Sequence, residues 1–186
     1  MAKFDVLLWR KRAVARYKSA TARNPLSEEH FIKKLRSDHT NISRLSSVIG
    51  WCNHRKIDVD FTMTPELGIY DFNLKKIEIN SRLTTERQLF LLLHECGHHL
   101  IDSADEQTRF SMGYSQLLNK DVNRTFDHRC SVLDEEFEAW HRGFRLSDRL
   151  NLHIDKMRYN KTRSEMIRGY MKWVLRVNEF GKVRLG

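Results

Sequence analysis

The chain has 186 residues, 40% hydrophobic and 31% charged, a balance that can bury a core and excludes wholesale disorder. With 2 Pro and 8 Gly it is also no loop-rich or low-complexity protein, and helices are favoured. Its formal net charge of +9 is uneven, with +7 over residues 1–36, −6 over 37–138 and +8 over 139–186, so basic ends flank an acidic centre suited to a cation.

The N-terminus, MAKFDVLLWRKRAVARYKSA, places a short apolar patch before a basic run, the reverse of a signal peptide. Residues 3–20 read as a basic helix with Phe4, Leu7, Leu8 and Val14 available for packing. Asn24-Pro25 breaks it. Ser27 can cap a second helix that carries Glu28 and Glu29 in its first turn. Phe31, Leu35, Ile42, Leu45, Ile49 and Cys52 form its apolar stripe, which ends near His54.

The period then shortens to two. Ile57, Val59 and Phe61 alternate with Asp58, Asp60 and Thr62, the pattern of a strand. Thr64–Glu66 turns the chain, Leu67–Phe72 reads as a second strand, and Asn73–Lys75 leads into a third at Lys76–Asn80. These three strands are expected to form a small antiparallel meander. Thr85, with Gln88 three residues on, has the form of a capping box opening a helix to about Asp102. Gln107–Leu118 is a candidate helix and Asp121–Arg129 a loop. A helix is expected from Val132 to about Leu150, broken at Asn151-Leu152-His153, and a last basic one over Ser164–Val177 before a frayed tail at Gly181–Gly186. The expected organisation is one α+β domain over residues 1–186. It comprises a helical extension (1–54), a core (55–150) and a basic helical segment (151–186).

Cys52, Cys96 and Cys130 are odd in number, widely spaced and without a CxxC pair. A disulfide framework is not expected, and a reducing, cytoplasmic location is. The apolar run Leu89–Leu93 is too short to span a membrane.

The chemistry concentrates at His94-Glu95-Cys96-Gly97-His98. On a helix the two histidines lie one turn apart and point to the same side, where both can share one zinc ion. Glu95 is offset by about 100°. From there it can take a proton from a water on the metal and pass it to a leaving group. This is the logic of the HExxH motif. Leu89, Leu93, Cys96 and Leu100 recur at helical spacing and give the helix its core face. Catalytic zinc needs a third protein ligand and an open position. The metzincin pattern is excluded, because Ile101 and Ala104 stand where it requires glycine and histidine. The acidic turn Asp134-Glu135-Glu136-Phe137-Glu138-Ala139-Trp140 supplies carboxylates, with Glu135, Glu136 and Glu138 as candidates; His128 and Cys130 are others.

A strand, a capped helix with HExxH and a later helix with Glu-x-x-Ala together resemble a minimal gluzincin. Over about residues 57–150 the chain is most similar to the ImmA/IrrE-type metallopeptidases and related phage-encoded metallopeptidases. The resemblance implies a zincin-like fold: a small sheet, an active-site helix, a glutamate helix and additional basic helices. It implies Zn2+ as cofactor, a protein or peptide substrate, and Glu136, three residues before Ala139, as the third ligand. Many gluzincins carry Asp one turn after that glutamate; here the position is Trp140.

Asp102 is a candidate to orient a ligand histidine. His99, about 100° round the helix from His98, is not expected to be a ligand. His141, His153, Tyr114 and Tyr159 are candidates to stabilise an oxyanion. Arg10, Lys11, Arg12, Arg16 and Lys18, and Arg158, Lys161, Arg163, Arg168 and Lys172 at the other end, could track phosphates, with Tyr159, Tyr170 and Trp173 interleaved for stacking. The expected function is zinc-dependent peptide hydrolysis with Glu95 as general base. The alternative is a zinc-containing nucleic-acid or protein-binding module.

Overall fold

The structure, a computed structural model, describes residues 28–63, 66–104, 109–123 and 125–175, with side chains from residue 37 onward. The expected helix over 3–20, the Ser27 cap and the frayed tail lie outside the described residues. The chain divides into two compact units at residue 40. In the first, only the helical residues 28–40 are described. The second carries everything that follows.

Helix α1, Glu28–His54, enters this unit at Asn41. It buries Leu45, Val48 and Cys52. It stops where Lys56 turns left-handed, at φ 59°, and the Ile57 N–H bonds back to the Cys52 carbonyl at 3.0 Å. The strands β1 (Asp58–Thr62), β2 (Gly68–Asp71) and β3 (Lys76–Asn80) follow. They form a mixed sheet in the order β1-β3-β2, not the expected antiparallel meander. β2 pairs antiparallel with β3, while β1 lies parallel to β3, with Val59 opposite Ile77. Burial explains the order. Ile77 and Ile79 on β3 have no exposed surface, and the central position covers both edges of that strand. The β2–β3 turn is built by Asp71, whose carboxylate accepts the Asn73 and Leu74 N–H groups at 2.9 Å.

Helix α2, Thr85–Asp102, is buried on nearly every side, with residues 89–97 buried without a break. Such a helix belongs in the middle of the molecule, and it packs against β2, β3 and helix α3. Its cap is Thr84, whose hydroxyl accepts the Arg87 N–H at 3.3 Å, one residue before the expected capping box. Of the expected helix over 107–118, the described residues 109–118 form no α-helix. Turns and a short 3-10 segment, Tyr114–Gln116, stand there, and the Tyr114 N–H donates to the Glu135 carboxylate instead of to a helical carbonyl.

Helix α3, Phe126–Arg149, starts earlier than expected because Thr125 caps it, accepting the His128 N–H at 3.1 Å. Asn151, at φ 51°, ends it. Helix α4, Lys156–Val174, likewise starts before Ser164, with Asp155 accepting the Arg158 N–H at 3.0 Å. Tyr159 then anchors its first turn in the core, its hydroxyl donating to the Trp140 carbonyl at 2.9 Å. Among the described residues no helix is long and apolar enough to cross a membrane.

The contact between α2 and α3 positions the site. A side chain at Gly97 would overlap the Ala139 backbone, and one at Gly143 would overlap the Leu93 carbonyl. Two glycines therefore let antiparallel helices approach more closely than side chains ordinarily permit.

Candidate metal centre

His94 and His98 stand one turn apart on α2, their ring centroids 4.7 Å apart. Across the close helix crossing, α3 presents Glu136. His94 Nε2 lies 3.2 Å from Glu136 Oε2, and His98 Nε2 lies 3.3 Å from Glu136 Oε1. One ligand atom from each of the three residues falls within 4.8 Å of the others, so the group could hold a metal ion. Spacing brought His94 and His98 forward, and the gluzincin resemblance implied Glu136 among the alternatives Glu135, Glu138, His128 and Cys130.

The donor set fits such an ion. Glu136 Oε2 and His94 Nδ1 are buried without a hydrogen-bond partner among the described residues. Glu136 Oε2 faces His94 Nε2 at 3.2 Å, and a buried carboxylate costs free energy unless a cation meets it. The two histidine–carboxylate distances, 3.2 and 3.3 Å, are close to the separation of about 3.3 Å between ligands about 2.0–2.1 Å from a tetrahedral ion. The electrostatics run the same way. Burial alone would push the Glu136 carboxyl up, but His94 and His98 outweigh it and hold the group well below the usual carboxylate range. Burial works against charge on His98, yet Glu135 and Glu136 overcome it and raise its pKa to about 10.

Glu95 projects elsewhere. It is buried, and the Tyr70 backbone N–H on β2 donates to it. Gly68 makes room for it: a Cβ there would stand 2.8 Å from Glu95 Oε1. Burial is the main reason its pKa is raised, with the charge of Glu136 adding to it and the two histidines opposing. The result is a carboxylate more basic than an exposed one.

The other candidates are used differently. Glu135 Oε1 is 3.9 Å from His98 Nδ1, and its other oxygen accepts the Tyr114 N–H at 3.1 Å. Glu138 accepts from Arg142 at 2.8 Å. His128 bonds through Nδ1 to the Met112 carbonyl at 2.7 Å, and neither it nor Cys130 belongs to the cluster. Asp102 orients no ligand histidine; it accepts from the Tyr70 hydroxyl, which also pairs with His99 Nδ1 at 3.0 Å. Cys96 faces the core beside Cys52, with sulfurs 3.5 Å apart. Of the oxyanion candidates, Tyr159 is tied to Trp140, His141 is exposed, and the His153 carbonyl accepts from Arg44.

Tyr114 does reach the site, and its position there carries no sequence signal. Its hydroxyl donates to Glu136 Oε1 at 2.6 Å and lies 3.0 Å from the Tyr170 hydroxyl on α4. Burial and the Glu136 charge push both phenols up, so they stay protonated donors at neutral pH. Trp140, read from the sequence as a departure from a pattern, stacks on His94. Comparison of the chain with family models, with curated proteins and with solved structures returns no match.

Proposed function

We propose that this chain is a zinc-dependent metallopeptidase of minimal gluzincin type, with His94, His98 and Glu136 as ligands and Glu95 as the proton carrier. The observation that carries this reading is the convergence of one ligand atom each from His94, His98 and Glu136 within 4.8 Å, with Glu136 Oε2 buried and 3.2 Å from a histidine nitrogen of an HExxH helix. Two imidazoles and a carboxylate suit zinc, and three protein ligands leave one position open. When bound there, zinc would supply Lewis-acid polarisation of a carbonyl and lower the pKa of a water.

The protein's own groups do the rest. Tyr114 fixes the Glu136 carboxylate through its hydroxyl, and Tyr170 fixes Tyr114. Glu95, made more basic by burial, takes the proton of the attacking water at its carboxylate and returns it to the departing amide nitrogen. The Tyr70 N–H holds Glu95 against β2. β2 is an edge strand, half-exposed at Ile69, and an extended peptide can lie along such an edge.

The test is cleavage of an unfolded protein by the zinc-loaded chain beside Glu95→Gln. The variant should retain zinc and lose about 10²–10⁴-fold in rate. Equal cleavage by both proteins would contradict the role of Glu95. Zinc retention with no cleavage by wild type would leave a metal-containing binding module in place of a peptidase.

A further inference from the structure

The basic residues of α4 divide by what they face. Arg158 pairs with Glu86 at 2.6 Å, Tyr159 is buried in the core, and the Tyr170 hydroxyl meets Tyr114. Arg163 and Arg168 form no ion pair among the described residues. The acids of this region are engaged elsewhere. Glu165, the one acid of α4, faces Arg87 at 3.8 Å, and Asp134 and Glu138 on α3 face Arg109 and Arg142. Both free arginines line a cleft of about 280 Å³ between α4 and α3. Ser164, Ile167 and Met171 share that broad face of α4 with them, and Phe137 of α3 completes the wall. Phe137 is 43% exposed and Met171 47% exposed, so open apolar surface stands beside two guanidinium groups. Lys161 and Lys172 are exposed and lie within about 40° of Arg168 round the helix, one before the cleft and one after it.

We propose that this cleft binds a nucleotide unit, with the phosphate between Arg163 and Arg168 and the base on the face of Phe137. A guanidinium matches phosphate oxygens two bonds at a time. Ser164 adds a hydroxyl donor in the same cleft. A base laid on Phe137 and Met171 covers apolar surface that a bare anion would leave wet. The unit can come as a free nucleotide or as one link of a single strand, and Lys161 and Lys172 are placed for the neighbouring phosphates of a strand. The site needs no metal and stands apart from the metallopeptidase reading.

The test uses the full chain. Thymidine monophosphate and inorganic phosphate are titrated by calorimetry, and a short fluorescein-labelled oligothymidylate by anisotropy. Thymidine monophosphate should bind more tightly than inorganic phosphate. Phe137→Leu keeps an apolar side chain on α3 without a flat face and should weaken both thymidine ligands about fivefold or more, while Phe137→Tyr should hold them near wild type. Replacing both arginines, Arg163→Gln with Arg168→Gln, should lower the slope of log affinity against log salt by about 1.4 for the strand, two contacts at about 0.7 each. A strand bound more tightly than the monophosphate, with Lys161→Gln and Lys172→Gln narrowing the gap, assigns the cleft to single strands; equal affinities assign it to free nucleotide. Strand binding unmoved by the Phe137 and arginine variants would put the contact elsewhere on this basic chain and overturn the proposal. Inorganic phosphate binding as tightly as the monophosphate, or no binding of either thymidine ligand, would overturn it too.

Discussion

The Trp140 indole stacks on the His94 imidazole, ring centroids 4.3 Å apart and 18° from parallel. Metal-ligating histidines usually fix their ring by donating the second nitrogen to an acceptor. His94 Nδ1 has no such partner among the described residues, and the face of Trp140 holds the ring instead. Trp140 is fully buried, so Trp140→Ala should cost about 3–5 kcal/mol in urea unfolding of the metal-free protein. Trp140→Phe keeps an aromatic face and should cost less, with metal affinity closer to wild type. Equal metal affinity in all three proteins would mean that the stack does not position His94.

Gly97→Ala should be damaging although alanine is the better helix former by about 1 kcal/mol. The added methyl would overlap the Ala139 backbone and separate α2 from α3, carrying Glu136 away from His94 and His98. Thermal unfolding and metal titration should both show the loss. A variant as stable as wild type would show that the helices do not need this contact.

Tyr114→Phe removes the hydroxyl that donates to Glu136 Oε1. Losing a partner of this kind should weaken metal binding by about 10–100-fold. The fold should persist, since the ring can still pack against His98, 5.7 Å away between centroids. Competition with a chromogenic chelator measures this directly, and an unchanged affinity would remove Tyr114 from the site.

Metal binding should rise with pH. With its pKa raised to about 10, His98 is protonated at neutral pH in the metal-free chain. A ligand nitrogen must lose that proton, so loading at pH 7 should release about one proton from His98, and affinity should fall about tenfold per pH unit as pH drops. Calorimetry in buffers of different ionisation enthalpy counts it. The sign for stability is separate. A pKa above the unfolded value near 6.5 stabilises the metal-free fold fully below about pH 6.5, and that contribution is lost as pH rises through about 10. Glu136 is depressed, so its contribution is present above about pH 4.5 and is lost as pH falls through its folded pKa.

Part of the candidate cluster was legible because helical spacing is local. His94 and His98 declare themselves by being four residues apart, and Glu136 by the Glu-x-x-Ala resemblance. Tyr114 and Tyr170 were flagged for other reasons, because their hydroxyls meet only through contacts spanning 22 and 56 residues. The strands were legible as period-two runs, but alternation says nothing about neighbours. The central place of β3 goes with its burial, at Ile77 and Ile79, which no local alternation reveals. The first turns of α3 and α4 were missed because caps, not apolar periodicity, define them. Thr125 and Asp155 close backbone donors ahead of any hydrophobic stripe.

Metal content per chain tests the central claim most directly. Protein dialysed against zinc and then freed of excess should hold about one ion per chain, while His94→Ala, His98→Ala and Glu136→Ala should each fall toward zero with the fold retained by circular dichroism. Near-zero zinc in wild type, or the same content in wild type and all three variants, would contradict the account.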